Sequence, residues 1–173
     1  SAGTVEFLLA PDGRFYFLEM NTRIQVEHPV TEAVTGIDLV QAMIRVAAGE
    51  PLGLRQQDIE LRGHAIEARI YAEDPKQGFL PSPGRLSVFR APTGPGLRVD
   101  AGVEAGAEVT VHYDALLAKL VACADTRDAA LARLEAGLAD FAVAGVRTSI
   151  PFQRWLLRQE AFRTGRVDIG FVE

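Results

Sequence analysis

Residues 4–20 contain two apolar runs, Thr4-Val5-Glu6-Phe7-Leu8-Leu9 and Phe15-Tyr16-Phe17-Leu18-Glu19-Met20, joined through Pro11-Asp12-Gly13-Arg14. Asp-Gly between apolar runs is a strong hairpin signal, because both central residues of a type I′ turn need positive φ. Runs this apolar leave no polar face for water, which predicts an inner layer of a sheet. The only charges in them are Glu6 and Glu19. A two-residue loop at Asp12-Gly13 sets these two directly opposite each other at a non-hydrogen-bonded position, about 5 Å apart, with Leu8, Ala10, Phe15 and Phe17 as face-mates. Two ionised carboxylates there repel each other and lose solvation. The pair survives if one is protonated, if an Arg or Lys sits between them, or if they share a metal. Asn21 projects to the same side and adds an amide oxygen. Two carboxylates and an amide are hard donors, suited to Mg²⁺ or Mn²⁺ and not to zinc. The competing arrangement is two solvent-facing glutamates at a sheet end.

A hairpin beginning three residues after Ser1, with no initiator Met, reads as a segment of something larger. After an irregular stretch at 21–29 comes a helical segment ending at Gly36. Asp38 then caps a helix over 39–48, with Leu39, Ala42, Met43 and Val46 at helical spacing. Residues 50–62, with Pro51, Gly53 and several charges, form the expected boundary, dividing the chain into 1–55 and 63–170. Beyond it the texture changes to short strands, at 64–71, 85–89 and 97–99, separated by Pro/Gly turns, and 116–124 is a further apolar run. A helix follows, opened by Thr126 or Asp128, and a last one begins at Pro151. The expected class is α+β, a small mostly antiparallel sheet with helices packed on it.

Composition narrows the function. The chain has 173 residues, 48% hydrophobic and 24% charged, with 18 basic against 23 acidic residues and a net charge of −5. That balance argues against a nucleic-acid or anionic-membrane partner, which needs a clustered basic face. One cysteine, Cys123, and no apolar run long enough for a membrane span point to an intracellular location. Cys123 lies in an apolar run and is expected in the core. His28, His64 and His112 are scattered without zinc-ligand spacing. Gly94-Pro95-Gly96 reads as a turn, and Glu73-Asp74 before Pro75 as a turn and cap.

The densest polar stretch is Asn21-Thr22-Arg23-Ile24-Gln25-Val26-Glu27-His28. Arg23, Gln25 and Glu27 alternate, so in an extended loop they converge on one small object. A planar anion accepts a bidentate Arg fork, with an amide or backbone N–H groups completing its shell. A Glu facing that anion is either repelled or a base for its proton. The alternative is a surface loop with solvated charges.

The run EMNTRIQVEHPVTE at 19–32 resembles the signature of biotin carboxylases, the ATP-grasp component of biotin-dependent carboxylases. GHAIEARIYAEDP at 63–75, GFLPSPGRL at 78–86 and HYDALLAKL at 112–120 match the same family in order, and AGVRTSI at 144–150 resembles the segment beneath its nucleotide. The resemblance implies the C-terminal part of an ATP-grasp fold followed by the biotin carboxylase C-terminal domain. It implies metal-binding roles for Glu6, Glu19 and Asn21, which hold two Mg²⁺ or Mn²⁺ ions with ATP. Arg23, Gln25 and the Val26 backbone match bicarbonate-binding residues, Glu27 the base that deprotonates bicarbonate, and Arg69 the cation that stabilises the enolate of biotin. Leu8 and Val146 resemble adenine contacts, while Arg98 and Asp114 resemble positions near a dimer interface.

The activity implied by the resemblance is carboxylation of N1 of carrier-bound biotin, using MgATP and bicarbonate, through carboxyphosphate. The implied partners are a biotin carboxyl carrier protein or domain, a carboxyltransferase, and a second copy. The implied location is cytoplasmic, or the mitochondrial matrix in a eukaryote. By itself the segment is expected to fold at least partly and not to hydrolyse ATP. Two other readings are another ATP-grasp ligase, which would lack the RIQVEHPVTE continuation, and a non-catalytic dimerisation or scaffold module.

Overall fold

The structure is a computed structural model that describes residues 1–168 and 170–172. The expected second segment, 63–170, therefore includes Ile169, which lies outside the described residues. The chain forms two compact units, 1–62 and 63–173.

The first unit opens with β1 (Thr4–Leu9) and β2 (Phe15–Asn21), paired antiparallel. The turn is not the expected two-residue type I′. Gly13 N–H donates to Ala10 O and Ala10 N–H to Arg14 O, so the loop is the three residues Pro11-Asp12-Gly13. Pro11, with φ locked near −65°, suits the first corner of a type I turn, and Gly13 then takes φ +83. The longer loop slips the register by one, pairing Leu9 with Phe15 and Phe7 with Phe17. A bulge between Glu6 and Phe7, which makes Leu18 the extra residue, restores it, so that Glu6 does face Glu19. The expected pair forms, but through two irregularities that cancel.

The bulge also changes the faces. Phe15 and Phe17 join Phe7 in edge-to-face contacts, with centroids 5.4 and 6.3 Å away, and leave the Glu6–Glu19 side to Leu8 and Tyr16. Among the described residues β1 and β2 pair with each other alone, and Phe7, Leu9, Phe15 and Phe17 are exposed.

Helix α1 (His28–Thr35) starts with Pro29 in its first turn, where the missing N–H is no loss, and ends at Gly36 with φ +73. Helix α2 (Leu39–Ala47) is capped by Asp38, which accepts from Gln41 N–H. The buried Glu32 ties the two helices, its Oε1 accepting from Leu39 N–H at 2.7 Å.

The second unit runs β3 (His64–Tyr71), β4 (Glu73–Asp74), β5 (Leu80–Pro81), β6 (Gly84–Arg85), β7 (Val88–Arg90), β8 (Leu97–Ala101), β9 (Glu108–Val109), β10 (Leu116–Ala124), α3 (Arg127–Asp140), β11 (Ala142–Ala144), α4 (Ile150–Leu156) and α5 (Glu160–Arg163). Its principal sheet is antiparallel with order β3-β10-β8; the other strands form two-stranded pairs, β4 with β5, β6 with β9 and β7 with β11. Thr126, not Asp128, caps α3 by accepting from Ala129 N–H. Leu131, Leu134 and Leu138 of α3 pack on Ala68, Ile70, Ala118, Leu120 and Ala122, the inner faces of β3 and β10. A second cluster joins Ala72, Leu86, Val109 and Leu117. The chain does not end in one helix: α4 is followed by the single turn of α5.

Cys123 is half-buried, not a core residue. It lies near the end of β10, where its carbonyl accepts from the Arg133 guanidinium and its N–H donates to Gly96 O. Asp74 caps the 75–77 turn by accepting from Lys76 N–H.

Candidate functional site

Pairing across the β1–β2 bulge sets Glu6 opposite Glu19, and Asn21 at the end of β2 reaches both. Its Nδ2 donates to Glu6 Oε1 at 2.9 Å and to Glu19 Oε1 at 3.0 Å. Gln25 Nε2 adds a third hydrogen bond, again to Glu6 Oε1 at 3.0 Å. Two side-chain amides, Asn21 and Gln25, thus donate to the paired carboxylates.

A cleft of roughly 380 Å³ opens beside this cluster, and Glu6, Arg23, Gln25, Glu27, His28 and Thr31 line it. Arg23, Gln25 and Glu27 therefore do converge, although not along an extended strand. The stretch turns into α1: His28 N–H donates to Gln25 O, Val30 N–H to Glu27 O, and His28 Nδ1 lies 2.8 Å from Gln25 O. Glu27 occupies the N-cap position without capping with its side chain. Arg23 is exposed and donates from Nη1 to Ile24 O at 3.2 Å. Leu8, on the same strand face as Glu6, is 57% exposed, and Val26 is exposed.

The donor set fits a hard divalent cation. Glu6 and Glu19 supply anionic oxygens, and a half-turn of the Asn21 amide offers Oδ1 where Nδ2 now points. No group of three or more His, Cys, Asp or Glu side chains arranged to hold a metal occurs among the described residues. A cation here would take two carboxylates and one amide from the chain, with the remaining ligands from a bound molecule.

The remaining site residues lie in the second unit. Arg69 extends from β3 beside Glu67, Nε to Oε1 3.2 Å, and the Glu67 side chain is only 6% exposed. Across the sheet Arg69 pairs with Lys119 of β10, which in turn pairs with Asp100 of β8. Lys119 Nζ lies 3.5 Å from Asp100, and Arg98 donates to both Asp100 oxygens at 2.8 and 2.9 Å. Burial works against the Asp100 charge, but the Arg98 and Lys119 cations outweigh it and hold this carboxyl below its ordinary value. Val146 packs against the Leu86–Leu117 cluster. Asp114 accepts from Leu116 N–H at 2.8 Å, and its charge, second to burial, pushes the Glu73 carboxyl up.

Sequence reasoning misses His28 and Thr31 as lining residues of the cleft, and Glu67 as the residue that meets Arg69. The signal for Glu67 is strand alternation, since residues two apart on β3 share a face. His28 shows no such signal, because a lone histidine at the start of a helix has no distinctive spacing.

Residues 67–173 match the biotin carboxylase C-terminal domain, and residues 1–55 match the ATP-binding domain of the carbamoyl-phosphate synthase L chain. The chain belongs to the biotin carboxylase C-terminal domain family. It is 50% identical over 173 residues to a pyruvate carboxylase subunit from Methanothermobacter thermautotrophicus, covering all of this chain and 35% of that protein. It is 49% identical over 172 residues to the biotin carboxylase of Haemophilus influenzae, covering 99% of this chain and 38% of that one. Among solved structures it resembles the biotin carboxylase domain dimer of Hydrogenobacter thermophilus 2-oxoglutarate carboxylase, in complex with MgADP, ADP and bicarbonate. The TM-score is 0.95 at 45% identity, over 98% of this chain and 38% of that one. The chain thus spans little more than a third of these proteins, and its architecture is that of biotin carboxylase domains. No helix among the described residues is long and apolar enough to cross a membrane.

Proposed function

We propose that this chain is the C-terminal part of a biotin carboxylase, with 1–55 closing the ATP-grasp domain and 63–170 forming the C-terminal domain. The complete enzyme carboxylates N1 of carrier-bound biotin at the expense of ATP and bicarbonate. The observation that carries this reading is the first unit's cleft, where the opposed Glu6 and Glu19, joined by Asn21, adjoin Arg23, Gln25 and Glu27.

Each side chain has a task its chemistry suits. The Arg23 fork and the Gln25 amide bind and orient bicarbonate, with the Val26 N–H as a further donor. Glu27 takes the bicarbonate proton, and the oxygen so freed attacks the γ-phosphorus of ATP, expelling ADP and forming carboxyphosphate. Glu6, Glu19 and Asn21 would hold a Mg²⁺ or Mn²⁺ ion, which would supply charge neutralisation for the phosphate oxygens. Carboxyphosphate splits into CO₂ and phosphate; phosphate takes the N1 proton of biotin, and N1 attacks CO₂. Arg69 stabilises the ureido oxygen while it is negative. Leu8 and Val146 contact the adenine ring. A biotinyl carrier and a carboxyltransferase are the partners, and Arg98 and Asp114 lie near an interface with a second copy. The setting is the cytoplasm, or the mitochondrial matrix in a eukaryote.

The test uses the complete enzyme and two assays: biotin carboxylation, and bicarbonate-dependent ATP cleavage without biotin. Arg69→Ala is expected to lower carboxylation by about 10²–10³, the usual loss for one charge-stabilising donor, and ATP cleavage far less. Glu27→Gln lowers both together, since bicarbonate is no longer deprotonated. Glu19→Gln weakens MgATP binding through loss of one anionic ligand. Equal losses in both assays for Arg69→Ala would refute its role, and an unaffected Glu19→Gln enzyme would refute the metal site.

A further inference from the structure

Among the described residues β3 is an edge strand, with β10 on one side only. Residues 69 and 71 of an antiparallel strand present their backbone groups to the same edge. Here that edge faces away from β10 and is occupied by the start of α4. Ser149 N–H donates to Tyr71 O at 3.0 Å, and Ser149 Oγ accepts from Tyr71 N–H at 3.0 Å and donates to Arg69 O at 3.1 Å. The Gln153 amide, one turn later, donates to Arg69 O and to Ser149 Oγ.

Two features set this contact apart from ordinary packing. Serine at a helix N-cap normally turns its hydroxyl back on the helix. Ser149 occupies the N-cap of α4 yet makes no such bond, because its hydroxyl is committed to β3. The β3–β10 ladder is also irregular at this point: Tyr71 pairs with Leu116 and Ile70 with Ala118, leaving Leu117 as an extra residue. A bulged ladder holds an edge strand less firmly from its paired side. The peptide groups on either side of Ile70 are therefore fixed from the α4 side, and Ser149 is itself 4% exposed, so water does not compete for them.

We infer that Ser149 and Gln153 are positioning residues for Arg69, clamping the backbone at 69–71 so that the guanidinium is held where charge develops. The inference rests on the role proposed above for Arg69. The lever is long: a small rotation of the backbone at residue 69 moves the end of an arginine side chain by about 1 Å, and a misplacement of that size costs on the order of 10²-fold in rate. The clamp also ties Arg69 to the 144–147 segment, which runs directly into Ser149.

In the complete enzyme, Ser149→Ala and Gln153→Leu are compared with Arg69→Ala in the two assays above. Each is expected to lower kcat for biotin carboxylation by about 10-fold or more. Bicarbonate-dependent ATP cleavage without biotin stays within about 3-fold, and the double variant falls no further than Arg69→Ala. Ser149→Thr keeps the hydroxyl and is expected to restore most of the loss. Hydrogen exchange in the Ser149→Ala enzyme should rise at the Tyr71 amide, whose acceptor is removed. If Ser149→Ala fails to fold, Gln153→Leu decides alone, because it spares the three bonds of Ser149 to β3. Losses equal in both assays, or no loss from either variant while Arg69→Ala is impaired in carboxylation, would overturn the clamp and leave the Arg69 reading standing. Should Arg69→Ala itself show no preference for carboxylation, the reading of Arg69 fails first.

Discussion

Leu120 and Gly137 offer a quantitative check on how α3 seats on the sheet. Leu120 lies in β10, the central strand, with its side chain fully buried. A Cβ added at Gly137 would stand 3.1 Å from Leu120 Cδ2 and 3.3 Å from Leu97 Cδ2, so the helix backbone rests directly on these leucines. Leu120→Ala removes three carbons, about 2.4 kcal/mol of transfer free energy at roughly 0.8 kcal/mol each. The cavity left under a rigid helix brings the expected loss to about 3–4 kcal/mol. Gly137→Ala alone sets a helix-propensity gain of about 1 kcal/mol against crowding of about 1–3 kcal/mol, and is expected to be neutral or destabilising. With Leu120 already truncated, the nearest clash is gone and the new methyl fills part of the cavity. The double variant should then be more stable than Leu120→Ala by about 1 kcal/mol, a favourable coupling of about 1–3 kcal/mol. Urea unfolding followed by circular dichroism on all four proteins closes the cycle. Coupling under about 0.5 kcal/mol, the value for independent sites, would show that α3 does not pack here as described.

Two carboxyls predict opposite pH responses, read from urea midpoints between roughly pH 2.5 and 7. Asp100, held low by Arg98 and Lys119 against its burial, contributes stability that is present above its unfolded value and lost as pH falls through the folded one; Asp100→Asn should flatten this acid limb. Glu73, raised by burial and then by Asp114, contributes in the other sense: its folded form binds the proton more tightly, so stability declines as pH climbs through its folded value. Glu73→Gln should match the parent near pH 3 and exceed it at about pH 7, and an identical profile for the two proteins would refute the assignment.

Local chemistry made several elements legible in advance. Asp38 and Thr126 cap the helices they precede because a short oxygen-bearing side chain satisfies orphan N–H groups wherever it occurs. The α3 face follows from helical spacing alone, whereas the apolar run at 116–124 did not by its length distinguish the strand it forms from a helix such as α2. The motif at 19–32 contains Arg23, Gln25, Glu27, His28 and Thr31, which line the cleft, while Glu6 reaches it from the preceding strand.

Distance along the chain hid the rest. The three-residue loop Pro11-Asp12-Gly13 and the bulge at Leu18 each shift the hairpin by one residue, and no rule of spacing reveals that they compensate. Which donor would quiet the Glu6–Glu19 pair depended on where the loop after β2 returned, and it returned with the Gln25 amide. Residue identity by itself determined which groups can hold a cation, fork an anion or cap a helix, because those capacities belong to the side chain. Only the tertiary structure decided that the hydroxyl of Ser149 should leave its own helix for Arg69 and Tyr71, some eighty residues earlier. A buried edge strand offers backbone groups that must be satisfied, and a partner so far along the chain becomes visible only once the fold has placed it there.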